Sequence, residues 1–418
     1  MKSRCPKSIR ALQFTGPFTD AIILIMKIGI ISFGCPKNLT DTEVLMGLLS
    51  EAGYEITPNS KSADIILLNT CAFIKPAREE AYQEIKKFKD RELLVAGCLP
   101  KVDKNLLKKF PQIKGLINSI QLFDYAHPRI KATPPWTAYV KTAEGCDNCC
   151  SYCLVPKIRG PYRSRAIDDI AAEVEGLIQK GVKEINLVAQ DTTYFKPGLD
   201  KLLERLVKIE GLRWLRILYA HPEHLTDKVI KMIAQEEKIL KYIDLPLQHI
   251  SDRILKLMGR EVPRDIISKI REIIPEVAIR TTLMVGFPGE KEEDFRKLLS
   301  FVEKTKFERL GVFTYYKEDG TPAAKLRGQV PWLIKKSRYH QIMRLQNRIS
   351  KELNKQMVGK ELEVLIEKSK NGFSCGRSYR EAPEIDGSVI VKGNLKPGEI
   401  VKVRVIKARA YDLETVPI

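Results

Sequence analysis

Six cysteines in two groups of three carry the chemistry open to this chain. Cys146, Cys150 and Cys153 stand in a C-x3-C-x2-C spacing within AYVKTAEGCDNCCSYCLVPKIRGPYRSR, on the loop after an apolar strand. Three thiolates this close can wrap three irons of a cubane cluster and leave the fourth iron without a protein ligand. An open metal position is a reactive position, as in catalytic zinc sites. A structural zinc wants four ligands, and no histidine lies between His127 and His221, so zinc fits this loop poorly. Cys149 lies inside the loop, but 149 to 153 leaves no third partner at the required spacing, so it reads as a neighbour and not a ligand.

The other group is Cys35, Cys71 and Cys98, which close the apolar runs KIGIISFG, ADIILLNT and RELLVAG. Short continuous apolar runs bounded by turn residues, with helical stretches such as Asp41 to Ala52 between them, predict buried parallel strands of an α/β layer. All three thiols then fall at the carboxyl edge of one sheet, where open α/β sheets place ligands. Three convergent thiolates suit an iron-sulfur cluster or, with a fourth ligand, zinc. A lone free cysteine would read as a small buried hydrophobe; the threefold recurrence favours a site.

The elements that must position the C-x3-C-x2-C loop follow it. EINLVAQDTT, WLRILYAHPEHL, KYIDLPLQHIS, IRTTLMVGFPGE and LGVFTYYKEDGT are strand-like, and amphipathic stretches such as Ile167 to Lys180 and Glu290 to Lys304 separate them. With the strand before Cys146 this makes about six βα units, the pattern of a parallel sheet curling into an incomplete TIM-like barrel. Polar residues cluster just past each run: Gln190 and Asp191, His221 and His224, Gln248 and His249, and the turn Gly286 to Gly289. That edge is the catalytic face of such a barrel. The glycine turn is not a phosphate loop, because it lacks G-x-x-x-x-G-K-[ST].

Pro331 to Gly359 has helical apolar spacing, and residues 335 to 360 hold eight Lys or Arg against one acid, Glu352. So one-sided a run suggests an RNA contact, against the plainer reading of a solvated face. From Lys360 the pattern changes to ELEVLIE, SVIVKG and EIVKVRVIKA, short strands split by glycine turns that predict a small OB-like antiparallel β-barrel. The fold class is therefore α/β with a terminal β-barrel. Its expected units are 26–125, a linker at 126–136, the barrel at 137–350 and the terminal module at 355–418. Residues 1–25, with four basic residues and one acid, read as an extension before a start at Met26, and Cys5 there is given no role.

The chain of 418 residues is 44% hydrophobic and 29% charged, values that exclude a wholly disordered chain, and no run approaches the roughly 18 apolar residues of a membrane span. Nine clustered cysteines argue against a disulfide scaffold and for a reducing, cytoplasmic compartment. The formal charge of +19 points to an anionic partner, with RNA, DNA, ribosome and acidic membranes all compatible.

C-x3-C-x2-C with an aromatic, Tyr152, before the last cysteine resembles the radical S-adenosylmethionine superfamily. The resemblance implies a 4Fe-4S cluster on Cys146, Cys150 and Cys153 whose open iron takes S-adenosylmethionine. It further implies cofactor contacts at Tyr152, Gln190, Gln248, Arg280 and Gly286. The order of a three-cysteine α/β unit, a radical barrel and a small β-barrel resembles the methylthiotransferases, whose terminal module is called TRAM, from Met26 to the end. GCPKNLTDTE around Cys35, NTCAFI around Cys71, AGCLPK around Cys98 and GRSYREAPEIDG from Gly376 look like the RimO type. The tRNA-modifying MiaB type typically has glutamine where this chain has Pro36 and serine where it has Ala72.

The RimO resemblance implies an aspartate of the twelfth protein of the small ribosomal subunit as substrate. It implies a second 4Fe-4S cluster on Cys35, Cys71 and Cys98 that delivers sulfur to the aspartate β-carbon, and a second S-adenosylmethionine as methyl donor. An unactivated C–H bond offers no proton that a side-chain base removes at neutral pH, so a carbon radical is the route. Two clusters serving one carbon require the amino-terminal unit to sit on the barrel mouth. Expected partners are the ribosomal protein on its subunit, a reducing electron-donor protein, and RNA through residues 335–360 and the TRAM module, with no membrane. Two alternatives stay open: a tRNA methylthiotransferase, and a non-catalytic RNA-binding iron-sulfur or zinc protein.

Overall fold

The computed structural model describes residues 26–118 and 127–418, so residues 1–25 and 119–126 of the expected units lie outside the described residues. The first sheet is β1 (Lys27–Ser32), β2 (Glu55–Thr57), β3 (Ile65–Thr70), β4 (Glu92–Gly97) and β5 (Ile113–Ile117). It is parallel throughout, in the order β2-β1-β3-β4-β5. The three expected strands are its centre, where both faces are covered and continuous apolar sequence is required. The edge strands β2 and β5 escaped notice because one is three residues long and the other alternates buried with exposed positions.

The second sheet runs β6 (Thr137–Lys141), β9 (Glu184–Val188), β10 (Trp214–Ile217), β11 (Ile239–Asp244), β12 (Ala278–Val285) and β13 (Arg309–Thr314). All pairs are parallel, neighbours follow chain order and the ends stay unjoined, giving the open six-stranded half-barrel that the sequence predicts. Between β6 and β9, a two-residue ladder of β7 (Ala143–Glu144) and β8 (Arg163–Ser164) brackets the cysteine loop. The helix Ile167–Gln179 buries Ile170, Ala171, Val174 and Leu177 at three- and four-residue spacing, and the helix Glu292–Thr305 buries Phe295, Leu298 and Val302 likewise. Both faces join one continuous core with the outer sides of the strands.

β14 (Glu361–Lys370), β15 (Phe373–Arg377), β16 (Val389–Lys392), β17 (Ile400–Ala408) and β18 (Leu413–Pro417) close into a barrel in the order β14-β15-β16-β18-β17. The expectation of a purely antiparallel barrel needs one correction, since β16 and β18 pair in parallel. A ring of five strands cannot alternate direction all the way round, so one parallel pair is unavoidable. The β15–β16 loop plugs the lower end of the half-barrel. Arg377 holds Glu184 at 2.6 Å, Arg309 holds Glu381 at 2.6 Å, and Asp386 accepts from Arg280 at 2.8 Å and from Tyr242 at 2.7 Å.

The helix Trp332–Lys355 lays Ile342, Leu345 and Ile349 into the barrel core. Its basic face is smaller than its composition suggests, because Lys335 is buried on the Tyr315 carbonyl at 2.8 Å and Arg338 is buried against Glu290 at 3.2 Å. Among the described residues no helix is long and apolar enough to cross a membrane.

Candidate active site

Each thiol of the amino-terminal group sits where its strand stops. Cys71 follows β3 directly, Cys98 follows β4, and Cys35 stands three residues beyond β1 as the N-cap of the helix Pro36–Glu51. Gly97 makes the close approach possible: its φ is +87°, and a Cβ there would meet the Thr70 carbonyl oxygen at 2.4 Å. Asn38 ties the loops together, donating to the carbonyls of Phe33 and Thr70 at 3.1 Å each, while Asn69 donates back to the Asn38 carbonyl at 2.8 Å.

The loop of the second group turns at Gly145, φ +80°, where a Cβ would meet the Pro161 carbonyl oxygen at 2.1 Å. It is then pinned across the barrel mouth, Ser151 donating from its amide to the Met258 carbonyl at 2.8 Å and from Oγ to the Leu257 carbonyl at 2.7 Å. Asn148 anchors it on the other side through Asp191 at 2.8 Å.

Both groups face one cavity of about 370 Å³ between the amino-terminal sheet edge and the barrel mouth, and all six cysteines line it. The amino-terminal unit therefore does sit on the barrel mouth. Beneath the cavity a buried knot of four charges joins the two: Lys141 contacts Asp41 at 2.5 Å and Glu144 at 2.7 Å, and Arg159 contacts Asp41 at 3.0 Å and Glu144 at 3.1 Å. Burial works against the Glu144 carboxylate, but Lys141 and Arg159 outweigh it and hold the group ionised. The stretch expected as a linker belongs to the same joint where it is described. Glu43 accepts from Arg129 Nε at 2.7 Å and from the amides of Ala132 and Thr133 at 2.7 and 3.1 Å.

The donor set fits polynuclear clusters better than zinc. Among the described residues no three cysteine sulfurs lie within 4.8 Å of one another, whereas Zn–S bonds of about 2.3 Å require sulfurs roughly 3.8 Å apart in a tetrahedron. Burial pushes the thiols of Cys98 and Cys146 up to about 11 and that of Cys153 to about 12, a setting in which a bound cation would be what keeps them as thiolates. Cys35 differs. Burial opposes its ionisation too, but Lys37 and Arg159, with the amides of the helix start, bring its pKa below the ordinary thiol value.

Of the other expected site residues, Tyr152, Gln190 and Gln248 line the cavity. Gln190 donates to Glu144 at 3.0 Å, and Gln248 holds a φ of +67°, an unusual conformation for a side chain other than glycine. Arg280 and Gly286 do not line it. Arg280 shares a face of β12 with Thr282, which does, but stands two residues lower, where it pairs with Asp386 at 2.8 Å and Asp244 at 3.6 Å. Gly286 is hemmed in by Lys335, whose Cγ would lie 2.3 Å from an added Cβ. Cys149 is exposed, away from the cavity, with its thiol 3.6 Å from the Asp147 carbonyl.

The polar residues past the strands divide similarly. His221 lines the cavity; burial lowers its pKa to about 3, so it is a neutral imidazole, and its buried Nε2 has no partner among the described residues. His224 and Asp191 bond each other at 2.7 Å, and His249 turns inward to accept from the Ser251 amide at 3.0 Å. Sequence reading missed three cations of the cavity, Lys37, Arg159 and Arg260. Arg159 lies 3.6 Å from the Cys98 sulfur and Arg260 3.7 Å from the Cys150 sulfur. Their nearness to the cysteines in sequence was the available signal for Lys37 and Arg159; Arg260 comes from a distant loop and offered none.

Known proteins resemble the chain in all three parts. Residues 27–118 match the uncharacterized protein family UPF0004, residues 140–302 the radical SAM superfamily and residues 358–418 the TRAM domain. The chain is 44% identical over 436 residues to the ribosomal protein uS12 methylthiotransferase RimO of Pelotomaculum thermopropionicum, covering 93% of this chain and 98% of that protein. It is 42% identical over 439 residues to the protein of the same name from Geobacter sulfurreducens, covering 93% and 97%. Among solved structures, the radical S-adenosylmethionine methyltransferase TsrM from Kitasatospora setae, with tryptophan and a SAM analogue bound, aligns at a TM-score of 0.52 and 12% identity, covering 82% of this chain and 79% of that one. That likeness is one of fold.

Proposed function

Since this chain belongs to the ribosomal protein uS12 methylthiotransferase RimO family, a radical S-adenosylmethionine enzyme family, we propose that it adds a methylthio group to the β-carbon of an aspartate in ribosomal protein uS12. The observation that carries the reading is the convergence of both cysteine triples on one cavity. Cys146, Cys150 and Cys153 would hold one 4Fe-4S cluster and Cys35, Cys71 and Cys98 another. When bound, the first supplies the one-electron cleavage of S-adenosylmethionine that opens C–H bonds, and the second is the site of sulfur delivery.

The chain's own residues bring the substrate carbon within reach of both triples and keep water out. Asp41, Glu144, Lys141 and Arg159 fix the distance between the two thiol groups. Arg159 and Arg260 put positive charge beside the Cys98 and Cys150 sulfurs, where it would offset the negative charge of clusters held there. Gln190, Gln248 and the free Nε2 of neutral His221 offer hydrogen bonds to S-adenosylmethionine or the substrate. Phe73 and Phe313, both lining the cavity and 42% and 54% exposed, mark the entry. Lys336, Arg344, Lys351 and Lys355 stay exposed on the long helix and would meet ribosomal RNA.

Mass spectrometry of ribosomal proteins and of tRNA nucleosides from a strain lacking this chain tests the proposal. Loss of a methylthio group, a gain of about 46 Da, from uS12 is the expected result. Loss from tRNA with uS12 unchanged would move the chain to the tRNA-modifying type.

A further inference from the structure

The cavity is electrostatically one-sided. Among the described residues three cationic side chains line it, Lys37, Arg159 and Arg260, and no aspartate or glutamate does. Two of the three are accounted for by neighbours. Arg159 is neutralised by Asp41 and Glu144, and Arg260 spans the Cys150 sulfur and the Pro246 carbonyl, the latter at 2.8 Å.

Lys37 is placed differently. It follows Cys35 by two residues in the first turn of the helix Pro36–Glu51, a turn without an acidic residue, so the positive end of the helix dipole adds to its charge. Its side chain crosses from the amino-terminal unit to the barrel mouth. There the ammonium donates to the Ala189 carbonyl at 3.2 Å and lies 3.6 Å from the centre of the Tyr219 ring. Tyr219 is held for this contact at a φ of +60°, its amide bonded to Asp244 at 2.9 Å. Lys37 is only 8% exposed and forms no ion pair among the described residues. Asp244 and Cys35 lie within electrostatic reach of the ammonium, but its close contacts are a neutral carbonyl and a ring face; an ammonium has three protons to give, and a substrate anion would take up those that remain.

We propose that Lys37 forms the carboxylate subsite of the substrate pocket, receiving the side-chain carboxylate of the aspartate and so holding the adjacent β-carbon between the two thiol triples. This rests on the reading of the substrate as an aspartate of uS12. Arg159 and Arg260 lie against the Cys98 and Cys150 sulfurs, whereas Lys37, whose charge also acts on Cys35, carries its ammonium across to the barrel mouth along the cavity wall. A charged hydrogen bond of this kind favours aspartate over asparagine about ten- to a hundredfold.

The test uses cluster-loaded enzyme without reductant, so that no turnover occurs, and measures binding of fluorescently labelled uS12 carrying either aspartate or asparagine at the target position. Wild type should prefer aspartate by that factor, Lys37→Met should bind both forms at the weaker level, and Lys37→Arg should recover the preference. A preference retained in Lys37→Met overturns the assignment. So does a wild-type enzyme that binds both forms equally, a result independent of how the variants fold. Adding reductant to wild type separates the two layers: failure to modify uS12 at all overturns the functional reading, whereas modification without carboxylate preference overturns only the role of Lys37.

Discussion

Lys141 on β6 donates to Asp41 on the helix Pro36–Glu51 at 2.5 Å, and both side chains are almost wholly enclosed. The bond crosses the joint between the thiol-bearing sheet and the barrel, so the separation of the two cysteine triples depends on a charge pair that water does not reach. Asp41→Ala would remove one of the two carboxylates that Lys141 and Arg159 share. Uncompensated buried charge of this sort costs about 3–5 kcal/mol. Chemical unfolding followed by circular dichroism should register that loss; a cost under about 1 kcal/mol would mean that the knot does not hold the joint.

Cluster stoichiometry separates the two triples. Anaerobically reconstituted protein should carry about eight irons, and both Cys35→Ala and Cys150→Ala should lower the count to about four. Their activities should part company. Cys150→Ala should form no 5'-deoxyadenosine, whereas Cys35→Ala should still cleave S-adenosylmethionine but yield no methylthio product. Cys149→Ala, at a thiol that turns away from the cavity, should keep all the iron. About four irons in the unaltered protein would defeat the two-cluster version.

Much of this site was legible because each cysteine is tied to a backbone pattern. Cys71 and Cys98 follow buried strands whose apolar runs are continuous, and parallel topology then brings their loops to one edge without further information. What sequence could not convey is how far a side chain reaches and in which layer it lies. Arg280 and Thr282 share a face of β12, yet a rise of about 3.3 Å per residue puts Arg280 below the cavity, against the terminal barrel. Lys37 and Arg260 enter the cavity along directions fixed by tertiary packing, with no periodic signature. The basic count at 335–360 misled in part for the same reason, since Lys335 and Arg338 point into the barrel.

Gly145 precedes the first cluster cysteine of the barrel, and its conformation is open to few other residues. At φ +80°, with the Pro161 carbonyl 2.1 Å and the Gly160 carbonyl 2.6 Å from an added Cβ, Gly145→Ala must displace backbone and not merely a flexible side chain. The displaced segment begins with Cys146. Iron retained at the radical site should fall in Gly145→Ala, and formation of 5'-deoxyadenosine should fall with it, while iron bound through Cys35, Cys71 and Cys98 stays. Gly160→Ala makes a useful comparison, since an added Cβ there meets nothing within 4 Å and the cost is that of its φ of +78° alone.

Glu184 is one of the points that fasten the terminal barrel to the half-barrel, and its contribution is pH-dependent in a determinable direction. Burial raises the Glu184 carboxyl, but the Arg377 guanidinium at 2.6 Å, with Arg216 and the Thr137 hydroxyl, outweighs it and brings the pKa to about 2 from an ordinary 4.5. The folded value lies below the unfolded one, so between them the unfolded chain binds more protons and stability rises with pH. The contribution is complete above about pH 4.5 and is lost as pH falls toward about 2; a shift of this size is worth about 3 kcal/mol. Denaturant unfolding of wild type and Glu184→Gln at several values from about pH 6 to about pH 3 should show the stability gap between them narrowing as pH drops through that window. A gap that stays constant would mean that the Glu184–Arg377 contact does not carry the acid sensitivity of the joint.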